Sequence, residues 1–265
     1  MMGARLHDVA RCLAVLTLAA GLSGRADAQD SVQANNPIGS LTSFNLQNQF
    51  IGNLSTVDEH ANILNFRLIQ PFTIGESTSI SRTTVPLTTQ PVGPGFDQRT
   101  GLGDTNVFAA RLFDTGNPRV TFGIGPSLTM PTATDTRLGG EKWNLGIANV
   151  LFNANSPRVQ FGYLLVYEQS IAGDDDRPDA ERAFFQPFGI YQLGDGWVLR
   201  STGVWQYDFK TDNYATPVGL GVGKVVPYER TVANFFFEPQ YSVWRDGPGQ
   251  PEWGVFFGIN LQLLR

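Results

Sequence analysis

Hydrophobic and polar positions alternate along this chain in short runs separated by turn formers. The run at 120 to 131, VTFGIGPSLTMP, puts Val120, Phe122, Ile124, Pro126, Leu128 and Met130 on one parity, with threonine, glycine and serine on the other as far as Thr129. A period of two predicts a β-strand with one apolar face and one small or polar face. From residue 41 onward, similar segments fall at about 41–52, 62–74, 78–89, 105–113, 119–130, 141–152, 158–170, 182–193, 197–207, 217–226, 231–244 and 253–265. Twelve is an even number, as bacterial single-chain membrane barrels require.

The links between the runs sort by length. GES (75–77), DTGNP (114–118), NANSP (153–157), GDG (194–196) and PYER (227–230) are short and mostly rich in turn formers. Longer stretches alternate with them: NLSTVDEHA, QPVGPGFDQRTGLGD, PTATDTRLGG, IAGDDDRPDAE, DFKTDNYAT and RDGPGQPE. Membrane barrels have tight periplasmic turns and long external loops, so this sorting predicts that both mature ends face the periplasm. Pro126 and Pro187 cannot donate to a ladder, and each is expected to mark a bulge or local break.

Parity then assigns the faces. Val120, Phe122, Ile124 and Leu128, with Phe161, Tyr163, Leu165 and Tyr167, Val218, Leu220 and Val222, and Trp253, Val255, Phe257, Ile259, Leu261 and Leu263, form apolar rows. Their opposite rows hold glycines, Gln160, Asn260 and Gln262, a poor water-facing surface but a serviceable lumen lining. Apolar rows facing lipid are therefore expected. Trp143, Trp205, Trp244 and Trp253 fall near long-link ends, and Trp197, Tyr191 and Tyr228 near short-turn ends. Two such bands match the interfacial aromatic girdles of membrane barrels.

Composition strengthens this picture. The chain has 265 residues, and only 16% are charged, against roughly 25% in a typical soluble domain. Arg5 and Arg11 lie at the start, the apolar run CLAVLTLAAGL comes next, and small residues Ala26 and Ala28 close the segment. That layout predicts a secretory signal peptide over 1–28, cut after Ala28; the apolar run falls short of the roughly 20 residues that a spanning helix needs. Residues 29–40 are then expected to be a periplasmic N-terminal segment and 41–265 an outer-membrane barrel. Cys12, the single cysteine, leaves with the signal, so no disulfide or thiolate metal site is expected. With a net charge of −5 and no basic cluster, a nucleic-acid partner is not expected. The predicted fold is an all-β transmembrane antiparallel up-and-down barrel of about 12 strands, in a Gram-negative cell.

LIQPF (68–72), GLGDTNV (101–107), QPFGIYQLGDGWVL (186–199) and PVGLGVGKVV (217–226) carry a resemblance. From about residue 40 to the end, the chain resembles the bacterial outer-membrane family labelled MetA-pathway of phenol degradation, loosely described as transporters. The resemblance implies an outer-membrane barrel involved in uptake of aromatic or other small hydrophobic compounds. One departure is the ending Leu264, Arg265, where outer-membrane chains commonly carry a terminal aromatic for the assembly machinery; Phe256 and Phe257 stand nearby.

The lumen parity collects Asn45, Gln47, Gln49, Arg67, Arg111, Gln160, Glu168, Arg200, Gln206, Asn234, Glu238, Gln240, Asn260 and Gln262. Arg67, Arg111 and Glu238 fall near mid-strand, where a charge must be paired or hydrated. Two readings stay open: a constriction that selects solutes by size and charge, or a plug of ion pairs and amides that fills the barrel. The corresponding functions are a passive channel without cofactor, metal or turnover chemistry, and a structural or adhesive barrel with a sealed lumen. A soluble lipocalin-like binder is the rival fold. Expected partners are outer-membrane lipid and lipopolysaccharide, the barrel-assembly machinery and a small solute.

Other motifs weigh less. Lys224 follows the lipid-facing parity and is expected either to snorkel or to be swung inward by a bulge. His60, in DEH (58–60), is the one histidine left once His7 leaves with the signal, and no serine stands two residues from it to complete a hydrolase site. GDDDRPD (173–179) lacks EF-hand spacing and reads as a solvated loop with at most weak cation binding, while the glycines of GLGVG (219–223) leave lumen space or relieve crowding.

Overall fold

The computed structural model describes residues 41–264; the expected signal segment 1–28, the expected periplasmic segment 29–40 and Arg265 lie outside the described residues. Strands β1 (Ser43–Leu54), β2 (Ala61–Ile74) and β3 (Ser77–Val92) run as antiparallel neighbours. The next stave is interrupted: β4 (Asp97–Leu102) and β5 (Thr105–Phe113) both pair with β3. Whole staves follow in β6 (Val120–Met130), β7 (Lys142–Asn153), β8 (Val159–Gly173) and β9 (Glu181–Gly194). Two more are interrupted, one made of β10 (Trp197–Ser201) and β11 (Trp205–Asp208), the other of β12 (Tyr214–Gly219) and β13 (Gly221–Tyr228). Strands β14 (Thr231–Asp246) and β15 (Pro251–Leu263) complete the circuit, and β15 pairs with β1.

The 15 strands thus form a closed antiparallel barrel of 12 staves, each bonded to its chain neighbours. Closure leaves no sheet edge, which is the condition for a sheet to sit in hydrocarbon, where an unpaired backbone group costs several kcal/mol. Large apolar side chains point outward around the wall, including Phe44, Leu46, Phe66, Leu145, Ile147, Phe161 and Val218, each more than two-fifths exposed. A soluble protein rarely shows so wide an apolar surface. Phe122 follows the same parity, touching outward-facing Phe113 with ring centroids 6.1 Å apart. The lipocalin-like arrangement, which needs these rows inside, does not occur.

The prolines act where expected, as local breaks. Pro126 keeps register with Ile147 on β7, but the ladder from β6 to β5 lapses between the pairs Phe108–Ser127 and Arg111–Ile124. A Cβ at Gly125 would overlap the Ala109 carbonyl there, so only glycine lets the two staves approach. The gap between β10 and β11, residues 202–204, lies opposite Pro187 on β9 and Pro217 on β12, as the flanking registers require. Neither proline has an N–H to offer, so the stave loses its ladder at that point.

Connections differ from expectation in one respect. The stretch expected as a long loop at 90–104 extends the barrel wall instead: Val92–Asp97 through Leu87–Leu102 are paired, leaving 93–96 as the turn. The connection at 131–141 is pinned against this extension. Thr134 donates its N–H to Leu102 O at 3.0 Å, and Asp104 accepts from the Ala133 and Gly140 amides at 3.2 and 2.7 Å. Within that connection, Arg137 donates from its side chain and its backbone to Asp135, which holds the Asp135 carboxyl well below its usual range.

Candidate functional site: the barrel lumen

The inward parity builds two unlike walls. One comes from β1, β2, β14 and β15 and is mainly polar. Gln47 donates to Asn260 at 2.7 Å and accepts from the Arg67 guanidinium; Gln49 donates to Gln240 at 3.2 Å. The other wall comes from β3 and β5 to β9 and is mainly apolar: Ile80, Phe108, Ala110, Ala148, Val150, Phe152, Leu164, Val166 and Phe188 form one buried cluster. Between the walls lies a cavity of about 100 Å³, lined by the charged Arg67 on β2, Arg82 on β3 and Arg200 on β10, and by the apolar Phe108, Val150, Leu164 and Phe188.

Glu238 is fully buried on the polar wall. Its carboxylate accepts from Arg200 Nε at 3.0 Å, Gln240 Nε2 at 2.9 Å, and the Thr202 backbone N–H and hydroxyl at 2.7 and 2.8 Å. The Thr202 amide is free to do this because the stave is broken at that residue, and Gln186 donates to the Thr202 carbonyl at 3.0 Å. A proline-enforced gap in the ladder thus supplies a backbone donor to a buried carboxylate. Space for the network comes from Gly219 and Gly221, where added Cβ atoms would meet Glu238 at 2.9 and 2.6 Å. Arg200 also lies 3.9 Å above the Phe236 ring. A buried ion pair is tolerated only when its remaining hydrogen-bonding capacity is met, and here Thr202 and Gln240 fill the carboxylate while Arg200 also donates to Thr202 Oγ1 at 3.1 Å.

Glu168, on β8, is similarly saturated: Asn106 Nδ2, Ser127 Oγ and Thr129 Oγ1 donate to it at 2.9, 2.5 and 2.7 Å. Arg67 and Arg82 are not. Each has a buried Nε without a protein partner. Arg82 stands 4.5 Å over the Phe108 ring, where the two walls meet, and lies in the fields of both Arg67 and Glu168.

Of the residues expected in the lumen, Gln47, Gln49, Arg67, Glu168, Arg200, Glu238 and Gln240 belong to these networks, and Gln206 donates to Gln250 at 2.7 Å near the loop rim. Arg111 does not join them. It is exposed, turned outward beside Phe113 at 5.3 Å, because Phe108 and Ala110 take the inward parity of β5. Arg82 is the lumen arginine that parity reading missed. Its strand, SISRTTVPLTT, puts Ile80 on the parity of Arg82 and Val85 and Leu87 on the other, so apolar residues stand on both faces and alternation gives no direction.

Trp143, Trp244 and Trp253 are exposed at the loop rim. Trp205 is half-buried, donating to Pro217 O at 3.2 Å, and Trp197 sits at the opposite rim under Lys224. Lys224 keeps the outward parity in regular register and donates to Asp195 O at 2.6 Å, so no bulge swings it inward. His60 is exposed on a loop, 3.8 Å from Glu59. In the acidic loop, Asp174 accepts the Asp176 amide and Asp179 pairs with Lys142 at 3.0 Å.

No family model matches the chain, and no curated protein matches it by sequence. Among solved structures, an outer membrane channel from Pseudomonas putida F1 is similar, with TM-score 0.61 and 12% identity over 86% of this chain and 96% of that one. A bacterial polysaccharide outer membrane secretin aligns with TM-score 0.41 and 10% identity over 85% of this chain and 99% of that one. At 12% identity the likeness to the channel concerns the fold: this chain has the architecture of an outer-membrane β-barrel.

Proposed function

We propose that this barrel is a passive channel for small solutes in the outer membrane of a Gram-negative bacterium, with its ends in the periplasm and its longer connections outside. The observation that carries the reading is the cavity between a hydrogen-bonded polar wall and an apolar wall inside a closed ring of staves. The similar fold of a protein described as an outer membrane channel supports it. In this reading hydrated side chains filter by size and charge and the solute gradient drives flow, with no chemical step. The phenol-degradation resemblance adds small aromatic or hydrophobic compounds as the solute class, a reading that the apolar wall supports. Lipopolysaccharide would meet the outer rim, and the assembly machinery would insert the chain.

One observation favours the sealed structural or adhesive barrel: both lumen carboxylates are saturated by internal donors, as in a plug. Planar-bilayer recording separates the two. Stepwise conductance and solute flux through folded, reconstituted protein are expected; a folded barrel showing neither would leave the sealed reading.

A further inference from the structure

We infer that the lumen cavity selects small amphipathic monoanions, a carboxylate carried on a compact apolar body, with the carboxylate on Arg67 and Arg82 and the body against Phe108, Val150, Leu164 and Phe188. This deepens the channel reading and rests on it for transport, though not for binding.

Unfilled hydrogen-bonding capacity is the first reason. Among the described residues, the buried lumen acids Glu168 and Glu238 have their oxygens taken by Asn106, Ser127 and Thr129, and by Arg200, Thr202 and Gln240. The Arg67 and Arg82 Nε groups have no such partner. A buried guanidinium N–H left unpaired costs free energy, which an anion in the cavity would recover. Position is the second reason. Arg82 pairs opposite Ile69 and Arg67 opposite Thr84, so the two arginines are diagonal neighbours on adjacent staves, both touching the same cavity. Two planar forks so placed suit a carboxylate, which guanidinium groups bind in a bidentate fashion. Third, the two forks border the apolar wall, with Arg82 over Phe108, so a ligand held by its charge lays its remainder on Phe188, Leu164 and Val150. A bare hydrophile would leave that wall wet, and a neutral hydrophobe would leave the forks unpaired.

Benzoate, benzamide and benzylammonium share a ring and differ in charge, and acetate lacks the ring. In liposomes carrying the folded protein, flux of benzoate is expected to exceed that of benzamide and benzylammonium. Arg67→Gln and Arg82→Gln are each expected to reduce the benzoate preference about tenfold, the scale of a lost charge-assisted hydrogen bond. Arg82→Lys, which keeps the charge without the fork, should fall between. Calorimetric titration of the detergent-folded barrel should show benzoate binding more tightly than acetate or benzamide. Equal flux and equal binding of benzoate and benzamide would overturn the inference while leaving a conducting channel intact. Absence of all flux would sink the channel reading; the titration would then decide the site alone, benzoate binding lost in both glutamine variants upholding it and no benzoate binding ending it. Heat-modifiable gel mobility verifies folding, and if neither glutamine variant folds, the comparison of the four solutes on the unaltered protein carries the decision.

Discussion

The wall made by β1, β2, β14 and β15 and the wall made by β3 and β5 to β9 belong to one barrel and face one cavity, yet they are held by different forces. On the first, inward positions alternate amides, charges and glycines with outward aromatics and aliphatics, and stability there depends on satisfying Gln47 and Glu238, the latter through Arg200 on β10. On the second, Ala148, Val150, Leu164 and Val166 face inward while Ile147, Leu165 and Phe161 face lipid, so over this stretch both sides of the sheet are apolar, the Glu168 network being the polar exception. The contrast teaches when parity reveals orientation. A strand with one polar face declares its inside; a strand with two apolar faces does not. Arg111 was expected inward on the rule that polar residues line the lumen, and that rule fails on β5 because Phe108 and Ala110 already hold the inward side.

Breaking the polar wall should have the largest effect. Glu238→Ala leaves the Arg200 guanidinium buried without its acid and the Thr202 amide without an acceptor, and is expected to cost about 3–5 kcal/mol, read as a lower urea midpoint in detergent micelles. Next comes the lipid side of the apolar wall: Phe161→Arg is expected to cost about 2–4 kcal/mol if the site lies near the bilayer midplane, less toward an interface, measured by reversible folding into vesicles. On the lumen side of that wall, Val150→Ala removes buried methyl groups and is expected to cost about 1.5–2 kcal/mol by the same measurement, since no polar partner is stranded. A cost for Val150→Ala that equalled that of Glu238→Ala would erase the distinction between the two walls.

The smallest effect lies outside both. Asp135 has its carboxyl held below the ordinary value of 3.8, first by the Arg137 side-chain hydrogen bond and then by the Arg137 amide. A depressed folded value means that the contribution is complete above pH 3.8 and is lost as pH falls through the lower folded value. Amide exchange at Arg137, corrected for its intrinsic pH dependence, should therefore lose protection only below pH 3.8, while the walls remain paired. Loss of that protection near neutral pH would separate the clamp from this carboxylate.

Much of the architecture was legible before any coordinates. The chain's order of staves, the outward rows of β6, β8 and β15, the short turns and the breaks near Pro126 and Pro187 follow from local rules: lipid demands apolar residues on one parity, and proline removes a donor. Gln47, Arg67, Glu168, Arg200 and Glu238 were legible as lumen residues because their neighbours two positions away face the same side. What remained hidden has one physical cause, that contents of a lumen are assembled across staves far apart in the chain. Closure of β15 on β1 brings Gln47 to Asn260, the gap opposite Pro187 and Pro217 turns the Thr202 amide toward Glu238, and the register of β2 with β3 sets Arg82 beside Arg67. Alternation along one strand records which side a residue faces; only the closed ring determines what it meets there.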